Sequence, residues 1–163
     1  MSRKVIPLKE NFFNDGYWYV LSSTSLGGTH LSAAQMADYL QSGDAATMNQ
    51  LLRDGICLPL YFPGDCALDD AIVVIGDLTE QEEAEWIGRL CAKLEIPCGE
   101  FLVMGGGLEE DFEVALTQFE TTDSFFQKFR LEPGAYRVEV YAYLSSMTVN
   151  FAWEELYSRR LKS

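Results

Sequence analysis

The stretch "SFFQKFRLEPGAYRVEVYAYL", residues 124–144, gives the clearest indication of the fold. Two runs rich in aromatic and β-branched residues, 124–131 and 135–144, flank the sequence Glu-Pro-Gly, which is typical of a turn between two strands. The pattern therefore predicts a β-hairpin and, with it, antiparallel strand pairing.

The second of these runs alternates between two kinds of side chain, as a strand with two different faces does. One face carries Tyr136, Val138, Val140, Ala142 and Leu144. The opposite face carries Arg137, Glu139, Tyr141 and Tyr143. We expect the first face to pack in the core, and the second to be partly exposed to water, to bind a ligand, or to be covered by a helix.

Four further runs have the composition of strands: residues 17–23, 56–62, 71–76 and 100–104. The run 71–76, "AIVVIG", is apolar throughout and predicts a buried strand. Pro59 cannot donate a ladder hydrogen bond, so the run that contains it is predicted at the edge of a sheet.

Helical spacing and capping residues predict five helices, at residues 31–43, 45–55, 78–97, 109–119 and 150–163. Because strands and helices do not alternate strictly, we expect an α+β fold with a largely antiparallel sheet and packed helices.

Three of the predicted helices have clear signals at their ends or along one face. Ser32 with Gln35 forms a capping box, and Asp44 caps the second helix, which Gly55 ends. Segment 78–97 has the strongest pattern, because a capping box of Thr79 and Glu82 is followed by an apolar stripe. The stripe consists of Trp86, Ile87, Leu90, Cys91 and Leu94.

Length and composition predict one domain that spans all 163 residues. No apolar run exceeds about six residues, and the sequence starts without a hydrophobic signal region, so we expect a cytoplasmic protein with no membrane partner. In a reducing compartment the four cysteines are more often buried apolar residues than partners in disulfides.

Charge is distributed very unevenly along the chain, whose net charge is −13. Residues 54–127 contain seventeen Asp and Glu but only Arg89 and Lys93 as bases, a net charge of −15. The two flanks together have a net charge of +2. Such an acidic region argues against nucleic acid, anionic lipid or polyphosphate as a partner, and it favours a basic protein or solubility alone.

The segment "FLVMGGGLEEDFEV", residues 101–114, contains the one glycine-rich loop of the chain. A dinucleotide loop would need glycine at position 110, which is Glu110, and the Gly-Lys pair of a P-loop is missing. Carboxylates in the first turn of the next helix would also repel a phosphate. Consecutive carboxylates diverge and lack the EF-hand pattern, so we predict a strand exit and no metal or other cofactor.

His30 and Cys98 are the two remaining candidates for chemistry. His30 is the only histidine, so every Ser-His-Asp or Cys-His arrangement would depend on it, and it precedes a helix, where we expect a partly exposed loop residue. Cys98 lies between Pro97 and Gly99 and is predicted to be an exposed thiol, whose pKa the acidic surroundings should raise.

The segment "FRLEPGAYRVEVYAYL", residues 129–144, resembles a segment of small bacterial proteins of immunity or inhibitor type. Its strand begins with Pro-Gly-x-Tyr-Arg-Val, and it is similar in outline to the closing hairpin of the competence-associated nuclease inhibitors. The resemblance covers sixteen residues and assigns no functional side chain. It implies a binding protein rather than an enzyme.

Charge and resemblance together lead to the hypothesis of a non-enzymatic protein that binds a basic partner, such as a nuclease or another toxin. The predicted contact residues lie on loops around the buried strands: Asp65, Asp69, Asp70, Glu109, Glu110 and Asp111. Two alternatives remain at this point. One is a small enzyme or metal-binding protein that uses clustered carboxylates, and the other is a homodimer joined through the aromatic strand face.

Overall fold

The computed structural model describes residues 3–9, 18–61, 71–106, 108–121, 124–143 and 146–153. Within these residues the strands are β1 (Lys4–Pro7), β2 (Trp18–Ser23), β3 (Cys57–Tyr61), β4 (Ile72–Ile75), β5 (Gly88–Ile96), β6 (Glu100–Met104), β7 (Phe126–Arg130), β8 (Gly134–Ala142) and β9 (Met147–Trp153). The helices are α1 (Ala33–Gln41), α2 (Ala45–Arg53), α3 (Glu80–Glu85) and α4 (Glu109–Thr117). A 3-10 turn covers Leu26–Gly28.

The strands form two sheets, and the fold is α+β as predicted. The five-stranded sheet has the order β1-β4-β9-β8-β5, and the four-stranded sheet has the order β3-β2-β6-β7. Every pairing is antiparallel except that of β4 with β9. The predicted largely antiparallel architecture is confirmed, and Pro59 lies in the edge strand β3, also as predicted.

The two sheets pack face to face around one apolar core. The aromatic centre of this core is Phe101 of β6, whose ring stacks on that of Phe129 at 5.4 Å between centroids. The same ring meets Phe151 of the five-stranded sheet edge-on at 4.5 Å, and Phe151 in turn contacts Tyr136 at 5.8 Å. All four side chains are buried, so this layer contributes hydrophobic stabilisation between the sheets.

A layer of helices covers the other face of the four-stranded sheet. Met36 and Leu40 of α1, Leu51 of α2 and Phe112 of α4 pack with Leu102 of β6 in a second apolar cluster. Helix α1 contacts both α2 and α4. The four-stranded sheet is therefore buried on both faces, and the polar faces of these helices form one outer surface of the molecule.

The predicted hairpin at 124–144 is wrong, although both of its strands exist. Strand β7 pairs with β6 in the four-stranded sheet, whereas β8 pairs with β5 and β9 in the five-stranded sheet. The Pro133-Gly134 turn thus carries the chain from one sheet to the other. The reason is competition for partners, since β8 gains nine paired positions along β5 that a hairpin with β7 would exclude.

The predicted helix at 78–97 is correct only in its first part. Thr79 and Glu82 form the capping box, but the helix ends at Glu85 and residues 88–96 form β5. Leu90, Ala92, Leu94 and Ile96 also alternate with polar residues at the spacing of a strand. Pairing with β8 buries Leu94 and Ile96 in the core, which the isolated helix could not do.

The apolar stripe predicted for this segment is accordingly not formed. Trp86 and Leu90 are exposed, and the side chain of Ile87 is 64% exposed. The terminal helix predicted at 150–163 is also wrong at its start, because residues 147–153 form β9. Val149 and Phe151 alternate with Thr148 and Asn150 at strand spacing, and residues 154–163 lie outside the described part of the chain.

The remaining helix predictions are confirmed. The capping box of Ser32 and Gln35 starts α1, and the Asp44 carboxylate caps α2. Gly43 and Gly55 follow these helices with φ of +67° and +69°, the left-handed conformation that favours glycine.

These two glycines give a matched test of the packing between the sheets. A Cβ at Gly43 would meet no atom within 4 Å, whereas a Cβ at Gly55 would lie 2.9 Å from the backbone nitrogen of Glu95 in β5. We expect Gly43→Ala to lower the free energy of unfolding by about 1–2 kcal/mol from backbone strain alone. Gly55→Ala should cost about 2–4 kcal/mol, because strain and backbone overlap add.

Urea denaturation of the two variants measures both values. Equal losses of stability would show that the contact between Gly55 and β5 is not a tight one.

Candidate functional site

The acidic segment after the glycines forms the start of α4. Phe112 and Ala115 are buried and fix the helix against α1 and β6. This orientation leaves Glu109, Glu110 and Glu113 exposed to solvent. Three carboxylates within two turns therefore share the outer surface of the helical layer.

The carboxylates of α4 differ in what they contact. Asp111 is half-buried, and its Oδ2 accepts a hydrogen bond from the backbone N–H of Leu108 at 3.1 Å, which caps the helix. The ion pairs within the described residues do not include Glu109, Glu110 or Glu113. Asp111 thus has a structural role, while the three glutamates form what we call the α4 acidic face.

Large apolar side chains lie at both ends of α4. Leu108, before the helix, is 43% exposed, and Phe119, just after it, is 94% exposed. Phe119 therefore keeps almost its whole ring in water and contributes little hydrophobic stabilisation to the fold. The helix predicted at 109–119 would include Phe119, but α4 ends at Thr117 and leaves this side chain outside.

The structure describes three of the six predicted contact residues. Glu109, Glu110 and Asp111 lie together in the first turn of α4, as the sequence indicated. Asp65, Asp69 and Asp70 lie outside the described residues, so their place beside α4 stays a prediction.

Helix α3 carries a second set of carboxylates, and these lie against the five-stranded sheet rather than in the helical layer. The Tyr143 hydroxyl donates to the backbone oxygen of Glu82 at 2.6 Å, which fixes α3 over the end of β8. Arg3 makes a two-pronged ion pair with Glu82, at 2.7 Å and 3.0 Å. The acidic segment 54–127 thus contributes to two sides of the molecule.

The Arg3–Glu82 pair shifts the pKa of its carboxylate. Burial would raise the pKa of Glu82, but the hydrogen bonds from Arg3 and from the backbone N–H of Thr79 outweigh burial and lower it. Glu82 therefore stays ionised to lower pH in the folded protein than in the unfolded chain.

The face of β8 that was expected to be partly wet is buried at its centre. Glu139 and Tyr141 are buried, and the Tyr141 hydroxyl donates a short hydrogen bond to the Glu139 carboxylate. Arg89 lies 3.3 Å from the same carboxylate, and Trp86 covers Tyr141 at 6.1 Å between ring centroids. Burial, followed by the bond to Glu139, raises the pKa of Tyr141. Trp86 is the C-cap residue of α3. Its contact with Tyr141 agrees with the expectation that a helix covers this strand face.

His30 lines a cleft of about 590 Å³ between α1, α2 and the segment that precedes α1. Tyr39, Gln50 and Asp54 also border this cleft. His30 is exposed, as the sequence predicted. Sequence reasoning missed the cleft, because only the packing of α1 beside α2 brings its walls together.

Cys98 is exposed, as predicted, but its predicted pKa shift is wrong. Burial would raise the pKa of the thiol, yet hydrogen bonds from the hydroxyls of Ser25 and Thr24 outweigh burial and lower it. The Thr24 oxygen lies 3.5 Å from Cys98 Sγ. These hydroxyls come from the loop after β2, so the sequence around Cys98 gave no sign of them. Burial raises the pKa of a second thiol, Cys57, to about 12.

Among the described residues, no three His, Cys, Asp or Glu side chains come together as a metal site. None of the helices in the described ranges is long and apolar enough to cross a membrane.

No protein-family model and no curated protein sequence matches the chain. A solved structure named crocagin biosynthetic gene J is similar, with a TM-score of 0.56 and 12% identity over 94% of this chain and 99% of the other. This likeness shows a shared fold. ComJ from Bacillus subtilis, an inhibitor of the DNA degrading activity of NucA, gives a TM-score of 0.42 and 9% identity, covering 93% of this chain and 92% of ComJ.

The Arg3–Glu82 pair should stabilise the protein in a pH-dependent way. The pKa of Glu82 is lower in the folded protein than in the unfolded chain, where it is near 4.5. The contribution of the pair to the free energy of unfolding is therefore complete above pH 4.5 and is lost as the pH falls through the folded pKa. The side chains are 31% and 17% exposed, so solvent screening limits the coupling energy to about 0.5–1 kcal/mol.

A double-mutant cycle of Arg3→Gln and Glu82→Gln at pH 7 and pH 3 measures this coupling. Glutamine retains the capping box at position 82, so only the ion pair is removed. A coupling energy that stays the same at pH 3 would contradict the ionic origin of the contact.

Thiol labelling should separate the cysteines by their surroundings. We expect Thr24→Ala combined with Ser25→Ala to slow alkylation of Cys98 several-fold, since fewer hydrogen bonds support its thiolate. Cys91, exposed on β5, is the internal reference and should keep its rate. Cys57 should react only on unfolding. Peptide mass spectrometry after timed alkylation gives all three rates, and an unchanged Cys98 rate would show that the two hydroxyls do not activate the thiol.

Proposed function

We propose that this protein is a non-enzymatic binding protein whose α4 acidic face contacts a basic protein partner. The observation that carries the proposal is that Glu109, Glu110 and Glu113 are exposed together and enter none of the ion pairs within the described residues. Negatively charged side chains near helix N-termini are stabilised locally by the helix dipole. That local effect accounts for Glu109 and Glu110 but not for Glu113, which lies beyond the first turn.

The charge of the whole segment supports the same partner. A net charge of −15 over residues 54–127 produces a negative potential that attracts a cationic surface and raises the rate of encounter. The effect extends about 8–10 Å at physiological ionic strength. Asp65, Asp69 and Asp70 are proposed to belong to the same surface.

Phe119 supplies a candidate anchor for the complex. Interfaces take most of their affinity from a few apolar or aromatic side chains surrounded by polar contacts. Phe119 and Leu108 are exposed at the two ends of α4, on either side of the glutamates. Charge would then speed association, and these side chains would slow dissociation.

The partner class that best fits this surface is a protein with a cationic cleft, such as a nuclease or another toxin. The phosphate-binding site of a nuclease is basic, and an acidic helix can cover it. In this role the protein is an inhibitor or immunity protein.

We expect affinity capture with the full chain to retain a basic protein at low salt and to lose most of it at about 0.5 M salt, where screening acts within a few ångströms. Partners are identified by mass spectrometry, and the affinity of the purified pair is then measured. Combined Glu109→Gln, Glu110→Gln and Glu113→Gln substitutions should slow association about tenfold or more at low salt.

The matched control is the triple variant Glu80→Gln, Glu83→Gln and Glu85→Gln on α3. It removes the same charge from the side of the five-stranded sheet and should slow association far less. Equal effects of the two triple variants, or a partner indifferent to salt, would contradict the α4 acidic face as the contact.

A further inference from the structure

The cleft beside His30 is large enough to admit a long side chain, and part of its lining is apolar. Its volume of about 590 Å³ lies within the range of natural ligand pockets, about 300–1,000 Å³. Leu51 and Ile56 are buried and form apolar wall, and Tyr39 of α1 is half-buried beside it. A long side chain with an apolar stem can therefore lie along this wall.

Among the described residues, Asp54 is the only carboxylate that lines the cleft. It accepts a hydrogen bond from Gln50 Nε2 at 2.9 Å, and the ion pairs within the described residues do not include it. Arg53, the neighbouring cation, is exposed and does not line the cleft. The carboxylate thus keeps oxygen lone pairs that can accept further hydrogen bonds.

The position of Asp54 makes a cation the complementary ligand. Asp54 is the C-cap residue of α2, and the carboxyl end of a helix carries the negative end of the dipole. A carboxylate is disfavoured there, whereas a cation is stabilised by both the helix end and the Asp54 charge. An anionic ligand would be repelled by both.

We propose that this cleft binds an arginine side chain of the basic partner, with the guanidinium at Asp54 and the stem against Tyr39 and Leu51. The proposal rests on the proposed function for the source of the arginine. Arginine fits better than lysine, because its planar group can stack on the Tyr39 ring while its fork donates two hydrogen bonds to one carboxylate.

The place of the cleft in the fold agrees with this partner. The cleft is bordered by α1 and α2, and α1 also packs against α4. The cleft and the α4 acidic face therefore belong to the same helical layer, so one partner surface can reach both. Glutamates would attract the partner, and the cleft would fix its orientation.

The single histidine makes a direct test possible. Proton NMR of the His30 ring needs no assignment by mutation, since the chain contains no other histidine, and the ring borders the cleft. The full-length protein is titrated at constant pH and low salt with N-acetyl-arginine amide. The control ligand is N-acetyl-citrulline amide, which has the same shape without the charge. We expect a saturable shift at about millimolar concentration with the first and a much smaller one with the second.

Two variants with the same change of charge locate the site. Asp54→Asn keeps an oxygen for Gln50 and should weaken binding of the arginine probe about tenfold or more. Asp38→Asn, exposed on α1 and outside the cleft, should change it less than about twofold. The proposal is overturned if the His30 signal does not respond, if citrulline shifts it equally, or if Asp54→Asn binds as the wild type does.

The same variants separate this inference from the proposed function. If a captured partner requires the α4 glutamates but binds Asp54→Asn normally, the cleft proposal is wrong and the proposed function stands. If the arginine probe binds as expected and no basic partner is captured, the cleft is still a binding site for a guanidinium cation. The proposed function and the protein source of the arginine are then wrong.

Discussion

The rest of this structure depends on two turns that pass the chain from one sheet to the other at the same corner. Residues 97–99 lead from β5 to β6, and residues 131–133 lead from β7 to β8. The backbone N–H of Leu131 donates to the oxygen of Gly99 at 2.9 Å, which joins the two turns. Gly99 has a φ of +73°, and a Cβ there would lie 2.9 Å from the Leu131 oxygen. Only glycine allows both the conformation and the contact.

Because of these turns, the consecutive strands β5 and β6 lie in different sheets, and so do the consecutive strands β7 and β8. Strands β6 and β7 pair on one side, and β5 and β8 pair on the other. Phe101, which stacks on Phe129, meets Phe151 across the gap. The four-stranded sheet then has an apolar face left over, which the helical layer must cover. The polar sides of α1, α2 and α4 are turned outward as a result, and this places the α4 acidic face and the Asp54 cleft in one layer.

The same kind of residue has different consequences on the two sides of the molecule. Glutamates begin both α3 and α4, where the helix dipole stabilises them. On α3, Arg3 binds Glu82 and lowers its pKa, so part of that charge is used within the fold. On α4, Asp111 alone makes a capping contact, while the three glutamates face solvent. The two helices differ because the fold brings Arg3 to Glu82 of α3, whereas the ion pairs within the described residues do not include the α4 glutamates.

Features that depend on neighbouring residues could be predicted from the amino-acid sequence. Capping boxes at Ser32 and Thr79, the glycines after α1 and α2, the edge position of Pro59 and the acidic start of α4 were all predictable, because the atoms involved lie within a few positions of each other. The exposure of His30 and Cys98 also followed from local sequence.

Strand pairing, and the grouping of side chains on the surface, depend on contacts between segments that are distant along the chain. Residues 88–96 fit a helix and a strand equally well by spacing, and the nine-residue pairing with β8 selected the strand. The separation of β7 from β8, the lowered pKa of Cys98 and the Asp54 cleft depend on segments that are distant along the chain. Their free energies arise from contacts that a local pattern does not contain, which is why the fold class and the acidic start of α4 could be predicted and the cleft could not.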